Sequence, residues 1–591
     1  MTGLKNLFKA NKHFFTALLK YGKLMIPMQI VIILLGIPMN FINLYSPKNF
    51  LDTIIETKDV KAAMFWIFLM IGCGFGLSII RWFFGVYSEH VLNKTKLYNK
   101  EQNFRLFSSF YLSYFENNEN MNVVQRALGY SDRGGVNFYN FIVGMISSVI
   151  TLATASYISL QFEWYFWLLI IGAFIIKLLV GIASKKINYK FNKDKTNRNR
   201  VADYYSGILM NKKAIHEIKL NNILGFFSDK HHAAYGKNIN LQTKHNIKTR
   251  FLWVLEDLPD HILNIICYVF IAVMLANGDA TVGDYTLFFA MISQINWTLT
   301  NIKDNIDNVY EQSLAAKNYL EFSECKTDKM LLGSGEKFNE PIGDIEFSNV
   351  TFRYNNQINP ALKNVNIRIN KGEKISIVGL NGAGKSTFVK LIMDLYKPES
   401  GEVRINGKNI LDIDASGYWD RIGVVFQYHY VFSLTVAENV LFYDCKDEEK
   451  VWKALEIAGL KKKVEGFAEG IETPLTPSLF PNGVDLSGGE KQKVAIARAF
   501  AKDFDIYIFD EPSSALDAKA EEELYSLINH IPEDKTVIFI SHRLSSVSTT
   551  NRIIVMKDGD IIGDNSHDIL MRNCPEYRDM YETQARRYGA V

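Results

Sequence analysis

Six apolar runs, near 24–45, 62–86, 138–160, 164–183, 251–276 and 285–302, dominate the first 320 positions. A helix rises about 1.5 Å per residue, so each run is long enough, or nearly so, to cross a hydrocarbon layer of about 30 Å. Ahead of them, Leu4, Leu7, Phe8, Phe15, Leu18 and Leu19 recur at helical spacing among lysines. That pattern predicts a helix over 4–20 lying at a membrane surface. Beyond residue 341 the pattern changes to short apolar strands such as KISIV and TVIFI, separated by amphipathic stretches and glycine turns. Strands alternating with helices predict an α/β domain. The expected organisation is an α-helical membrane domain over 1–320 with six transmembrane helices, a linker over 321–340 and an α/β domain over 341–591.

The connections between the runs are unequal. Residues 185–250 carry fifteen Lys and Arg, whereas 161–163 and 277–284 carry none. The long connections are therefore expected in the cytosol, with both termini on that side. Stretches 87–136 and 184–250 exceed what a simple loop requires and hold few helix breakers. They are expected to extend the spanning helices into water. Lys5, Lys9, Lys12, Lys20 and Lys23 precede the first run as they would in a signal peptide, but no small-residue cleavage site follows. The first run is expected to be retained as a span.

Polar residues inside the runs are the direct clue to cargo. Asn40, Asn43, Ser147, Ser148, Thr151, Thr154, His261, Asn264, Gln294, Asn296 and Thr298 would be costly against lipid. They are expected either to line a cavity or to bond between helices. Arg81 and Lys177 are expected to reach the interface from near the helix ends.

Composition narrows the function. A formal charge of +3 over 591 residues, without a basic tail, gives no electrostatic footprint for nucleic acid. Five cysteines lack metal-ligand spacing and disulfide-framework density, and suit a reducing cytosol.

The candidate chemistry lies in the second half. After KISIV comes GLNGAGKST, residues 379–387, which fits the phosphate loop GxxxxGK[ST] between a strand and a helix. Gly379, Asn381, Gly382, Ala383, Gly384 and Thr387 offer backbone N–H groups and space. Lys385 offers a charge to the β- and γ-phosphates, and Ser386 a hydroxyl to Mg²⁺. The domain is thus expected to be a P-loop NTPase that binds ATP. A second strand, IYIFDE, ends on Asp510 and Glu511, where a parallel sheet presents ligand-binding groups. Asp510 is expected in the Mg²⁺ shell, and Glu511 is expected to polarise the attacking water. TVIFISHR ends on His542, a candidate donor to the γ-phosphate.

The loop 379–387 together with LSGGEKQ, YIFDEPSSALD and ISHR resembles the nucleotide-binding domain of the ABC transporter family. The resemblance implies further roles. Tyr354 in VTFRY would stack on adenine, and Gln427 in VVFQ would touch Mg²⁺ and the attacking water. Asp517 in SALD would cross a dimer seam. Ser487, Gly488 and Gly489 would face the γ-phosphate held by a second copy of the domain. One set of motifs per chain then implies a dimer; since the set is intact, two identical copies could form two equivalent sites, so a homodimer is expected, with a heterodimer as the alternative.

Six spans ahead of one such domain resemble an exporter-type half-transporter in the cytoplasmic membrane, with segments near 103–114 and 210–222 coupling the membrane helices to the ATPase. The stretch SLFPNGVD before the signature departs from the acidic pattern of many exporters. It is similar to the glycine-preceded signatures of peptide exporters, so a small peptide or amphiphile is the expected cargo. No cysteine-protease unit precedes the spans, so export without leader cleavage is expected. A lipid flippase or multidrug exporter would share the same motor. An ATP-gated channel or regulatory protein would not need Glu511.

Overall fold

The computed structural model describes residues 2–587 other than 160–164, 212–213, 326–328, 356, 478, 514–515, 517 and 542–549. The chain divides into two compact units, residues 1–105 with 122–324, and residues 106–121 with 325–591. The short stretch 106–121, which lies in sequence between two long helices, thus clusters with the second unit.

The first unit is helical. Its long helices are α3 (Met25–Asp52), α4 (Val60–Ser108), α6 (Asn118–Ser159), α7 (Tyr165–Met210), α9 (Leu224–Asn277) and α10 (Val282–Glu324). Four short helices join them: α1 (Thr2–Ala10), α2 (Lys12–Tyr21), α5 (Leu112–Glu116), which belongs to the second unit, and α8 (Ile215–Leu220). Among the described residues, five helices are long and apolar enough to cross a membrane. The sixth predicted run forms part of α10, where Gln294, Asn296 and Thr298 lower the mean hydropathy. One apolar side of it is covered by protein, with Leu287, Phe288, Met291, Ile292 and Ile295 buried with Leu44, Leu263 and Ile271, while Phe289 and Trp297 are exposed. On α4, by contrast, Phe65, Phe68, Phe75 and Trp82 are exposed. An apolar face of that extent suits hydrocarbon rather than water.

Two expectations change here. The segment 4–20 is two helices broken at Asn11, whose side-chain amide donates to the Tyr130 hydroxyl at 2.7 Å and the Leu7 carbonyl at 2.9 Å. Leu7, Phe14 and Leu18 are buried against protein while Phe8 and Leu19 remain exposed, so the predicted single stripe splits between two surroundings. Lys177 does not reach an interface. It is 4% exposed and donates to Asp260 at 2.5 Å and to Thr300 at 2.9 Å, tying α7 to α9 and α10. A more deeply buried pair, Lys303 with Glu256, repeats the link between α10 and α9. Removing one member of such a pair leaves the other charge stranded, at about 3 to 5 kcal/mol. Among the polar span residues, Asn40 donates to Thr154 at 3.5 Å between α3 and α6, whereas Thr298 donates to the Gln294 carbonyl at 2.7 Å within α10.

The second unit is built on two sheets. Strands β1 (Ile345–Phe352), β2 (Leu362–Ile369), β4 (Ser400–Ile405) and β5 (Lys408–Asn409) form an antiparallel sheet in the order β2-β1-β4-β5. Strands β3 (Lys374–Val378), β6 (Ile422–Val425), β7 (Ile506–Asp510), β8 (Thr536–Ile540), β9 (Arg552–Lys557) and β10 (Asp560–Asn565) form the other, ordered β10-β9-β3-β8-β7-β6. All but β10 run parallel. Strands β3, β7 and β8 are almost wholly buried, which explains their continuous apolar runs. Their carboxyl ends lie side by side and open into one cleft.

Candidate active site

Strand β3 ends at Val378, and residues 379–384 turn into helix α11 (Lys385–Ile392). Gly384 holds φ +104°, and a Cβ there would lie 2.6 Å from the Ala361 carbonyl oxygen, so only glycine fits. Gly382 also has positive φ, at +83°, but a side chain there would meet no protein atom within 4 Å and would project over the open loop. A cleft of about 1510 Å³ surrounds this loop. Tyr354, Gly379, Leu380, Asn381, Gly382, Ala383, Gly384, Lys385, Ser386, Thr387, Gln427 and Glu511 all line it.

Lys385 donates to the Gly379 carbonyl at 2.9 Å and to the Leu380 carbonyl at 3.1 Å, which curls the loop around its ammonium group. Burial lowers the Lys385 pKa, and the charges of Glu511 and Asp510 oppose that shift. Ser386 donates to Asp510 Oδ1 at 3.2 Å, joining the start of α11 to the end of β7. Burial raises the Asp510 pKa, with the Ser386 hydrogen bond pulling it back. A hydroxyl and a carboxylate meeting beside a phosphate loop are hard oxygen donors, and they fit Mg²⁺.

Glu511 follows β7 with φ +51°, a left-handed conformation unusual for this residue type. Its amide donates to the Ile540 carbonyl at 3.1 Å, and Gln427 Nε2 donates to its Oε2 at 2.7 Å. The carboxylate is therefore aimed by its backbone and held by a neutral donor. Tyr354 shares a hydrogen bond of 3.0 Å with Thr387, so the aromatic ring is attached to the phosphate loop.

The structure does not bring every predicted residue into this cleft. Ser487, Gly488 and Gly489 lie outside its lining. Ser487 caps the helix Gly488–Phe500 through a reciprocal pair with Glu490, and its residue surface is exposed. His542 and Asp517 lie outside the described residues. Sequence reasoning missed Gln357, Asn359 and Lys363 after the aromatic, and Asp579 and Thr583 on the helix Pro575–Arg587, all of which line the cleft. That helix is anchored by Tyr577, buried with Val378, Ile553 and Val555. No motif marks these positions, because each is brought there by packing.

The 106–121 stretch docks on the far end of α11. Tyr111 is 3% exposed and its hydroxyl donates to Asp394 at 3.3 Å, while the Leu112 amide donates to the Leu395 carbonyl at 3.1 Å. Burial pushes the Asp394 carboxyl up to about 8, far above the usual carboxylate value near 3.9. Folding thus favours its neutral form. The associated stability is complete below the unfolded value and is lost as pH rises through about 8. Thermal midpoints should fall from about pH 5 towards about pH 8 and level off above it, and Asp394→Asn should flatten the curve.

Against known proteins, the family profile described as ABC transporter matches residues 362–514. The chain is 29% identical over 553 residues to the subtilin transport ATP-binding protein SpaT of Bacillus subtilis, covering 92% of this chain and 89% of the relative. It is 30% identical over 486 residues to the nisin transport ATP-binding protein NisT of Lactococcus lactis subsp. lactis, covering 81% of this chain and 80% of that protein. The chain belongs to the ABC transporter family. A solved bacterial Atm1-family ABC exporter with ATP bound shares its fold, with a TM-score of 0.78 at 20% identity over 95% of this chain and 99% of that one. This ABC transporter is accordingly a half-transporter, with a helical membrane domain fused to an α/β nucleotide-binding domain. It binds and hydrolyses ATP to drive export.

Proposed function

We propose that two copies of this chain form a homodimer in the cytoplasmic membrane, with both termini cytosolic, and export a small peptide by alternating access. The observation that carries the dimer is that Ser487 to Gly489 lie outside the cleft that holds Lys385. The Ser487 and Glu490 amides are taken by the cap, but the exposed start of the helix still presents the positive end of its dipole, which favours an anion. A second copy's triphosphate supplies one, so each ATP is held between Lys385 of one chain and Ser487 of the other.

In this reading Tyr354 stacks the adenine, and Ser386, Asp510 and Gln427 hold Mg²⁺, which shields phosphate charge when bound. Gly379 to Thr387 cradle the phosphates, and Glu511 takes the proton of the attacking water. His542 donates to the γ-phosphate, and Asp517 lies at the seam. Closure around ATP favours one arrangement of the membrane helices and hydrolysis releases it, which requires ATP to bind the closed state more tightly than the open one.

A peptide cargo is supported by the two relatives named for subtilin and nisin transport, each matched over most of its length. Inside-out vesicles containing the protein should accumulate a labelled small peptide when given ATP. Transbilayer movement of lipid or efflux of hydrophobic dyes, without peptide uptake, would instead assign the motor to a flippase or multidrug exporter.

A further inference from the structure

Helix α11 carries the phosphate loop at one end and, at the other, the residues 393–396 that receive the 106–121 stretch. Tyr396 hydroxyl donates to Glu116 of that stretch. The Tyr396 ring stands edge-on to Tyr354, with centroids 5.4 Å apart and planes at 82°. The Lys390 ammonium lies over both rings, at 5.8 Å from one centroid and 5.6 Å from the other. Asn355, the next residue after Tyr354, donates its side-chain amide to the Ser113 carbonyl at 2.7 Å. The aromatic platform is therefore held on one side by Thr387 and on the other by two hydrogen bonds to residues 113–116.

These two bonds constrain what the Thr387 contact leaves open. A hydrogen bond at the Tyr354 hydroxyl fixes the tip of the ring, whereas its plane is set by its lateral neighbours and by its backbone. Phe352, edge-on at 5.0 Å, is one such neighbour and Tyr396 is the other, and the orientation of Tyr396 depends on Glu116. Asn355 pins the adjoining backbone. Burial and the Glu116 carboxylate push the Tyr396 hydroxyl well above the usual phenol range, so it remains a donor at any working pH.

We infer that Tyr396 and Asn355 are positioning residues through which the 110–116 turn sets the base platform, so that a stacked purine and the docking of this turn strengthen one another. The inference rests on Tyr354 being the base platform. Linked equilibria are reciprocal, so whatever the docked turn adds to base affinity, the base returns as tighter docking. A phosphate without a base fills the loop at the other end of α11 and leaves this link unused. The turn between two membrane helices thereby distinguishes a purine nucleotide from bare phosphate.

The test uses the full chain in lipid nanodiscs with Mg²⁺ and saturating ADP or inorganic pyrophosphate, neither of which drives turnover. Amide exchange of the 110–116 peptide, which includes the Leu112 N–H, should slow about fivefold or more with ADP. With pyrophosphate it should stay near the rate without ligand. Tyr396→Phe and Asn355→Ala should erase the ADP effect and raise the KM for ATP at unchanged kcat, leaving pyrophosphate affinity unchanged. Glu116→Gln retains an acceptor oxygen and should behave as the parent, whereas Glu116→Leu should behave as Tyr396→Phe, which separates the hydrogen bond from a general packing defect. Equal protection by ADP and pyrophosphate overturns the inference, as does a full ADP response in Tyr396→Phe and Asn355→Ala. Tyr354→Ala distinguishes the two levels of failure. If it leaves the preference for ADP over pyrophosphate intact, the base-platform reading falls and the inference with it. If it removes that preference while the other variants retain theirs, only the link through residues 113–116 is wrong.

Discussion

Replacing Glu511 with glutamine is expected to lower steady-state ATP hydrolysis by about two to four orders of magnitude while ATP binding persists. The amide keeps the size of the side chain and can still meet Gln427, which now donates to Glu511 Oε2 at 2.7 Å. What it loses is the ability to accept a proton from water. Because φ at this position is +51° and the backbone amide is bonded to Ile540, the replacement should keep its aim. The defect should therefore be chemical rather than structural. Phosphate release and retention of labelled ATP measured on the same preparation check this, and normal release by the variant would remove Glu511 from its role. The Ser386 to Asp510 contact is unaffected by the change, so Mg²⁺ dependence of nucleotide binding should also persist.

Lys385→Ala should act on the other half of the reaction and weaken ATP binding by roughly tenfold to a hundredfold, since a charge-assisted hydrogen bond to phosphate contributes about 1.5 to 3 kcal/mol. Lys385 is 5% exposed, and its ammonium donates to the carbonyls of Gly379 and Leu380. Its removal costs the loop those two internal bonds as well as the ligand contact. Equilibrium titration with a fluorescent ATP analogue reads the loss directly, and unchanged affinity would contradict the assignment of this loop. The two variants should also differ in kind. Glu511→Gln accumulates the nucleotide-bound dimer, whereas Lys385→Ala depletes it.

The parts of the site that could be read from the sequence are those in which one short segment supplies several groups. Residues 379–387 bring backbone, charge and hydroxyl together within nine positions, and a strand ending in Asp510 and Glu511 carries its own position in the sheet. Tyr396 and Glu116 are separated by 280 positions, and neither belongs to a recognisable pattern. The same holds for Lys177, which reads as an interfacial lysine until packing of the helices brings Asp260 to it. Hydrophobic periodicity locates faces but not what covers them. That is why the α10 run does not disclose that Phe288 and Ile295 are enclosed by protein while Phe289 and Trp297 are exposed. It is also why the 4–20 stripe does not disclose its break, since the Asn11 side chain is claimed by Tyr130 over a hundred residues away.

The docked 106–121 stretch bears on how this ATPase can be taken apart. Tyr111 sits in a pocket with Met330, Leu332, Ala415 and Trp419, and Phe110 and Tyr114 are almost as deeply enclosed. A fragment trimmed to start after residue 324 keeps every nucleotide motif but discards the plug that fills this socket. It would expose greasy aromatic and aliphatic surface where the intact chain has none, and would tend to self-associate through it. Supplying the missing sixteen residues as a tethered peptide, rather than shortening the fragment further, is the remedy that the architecture suggests.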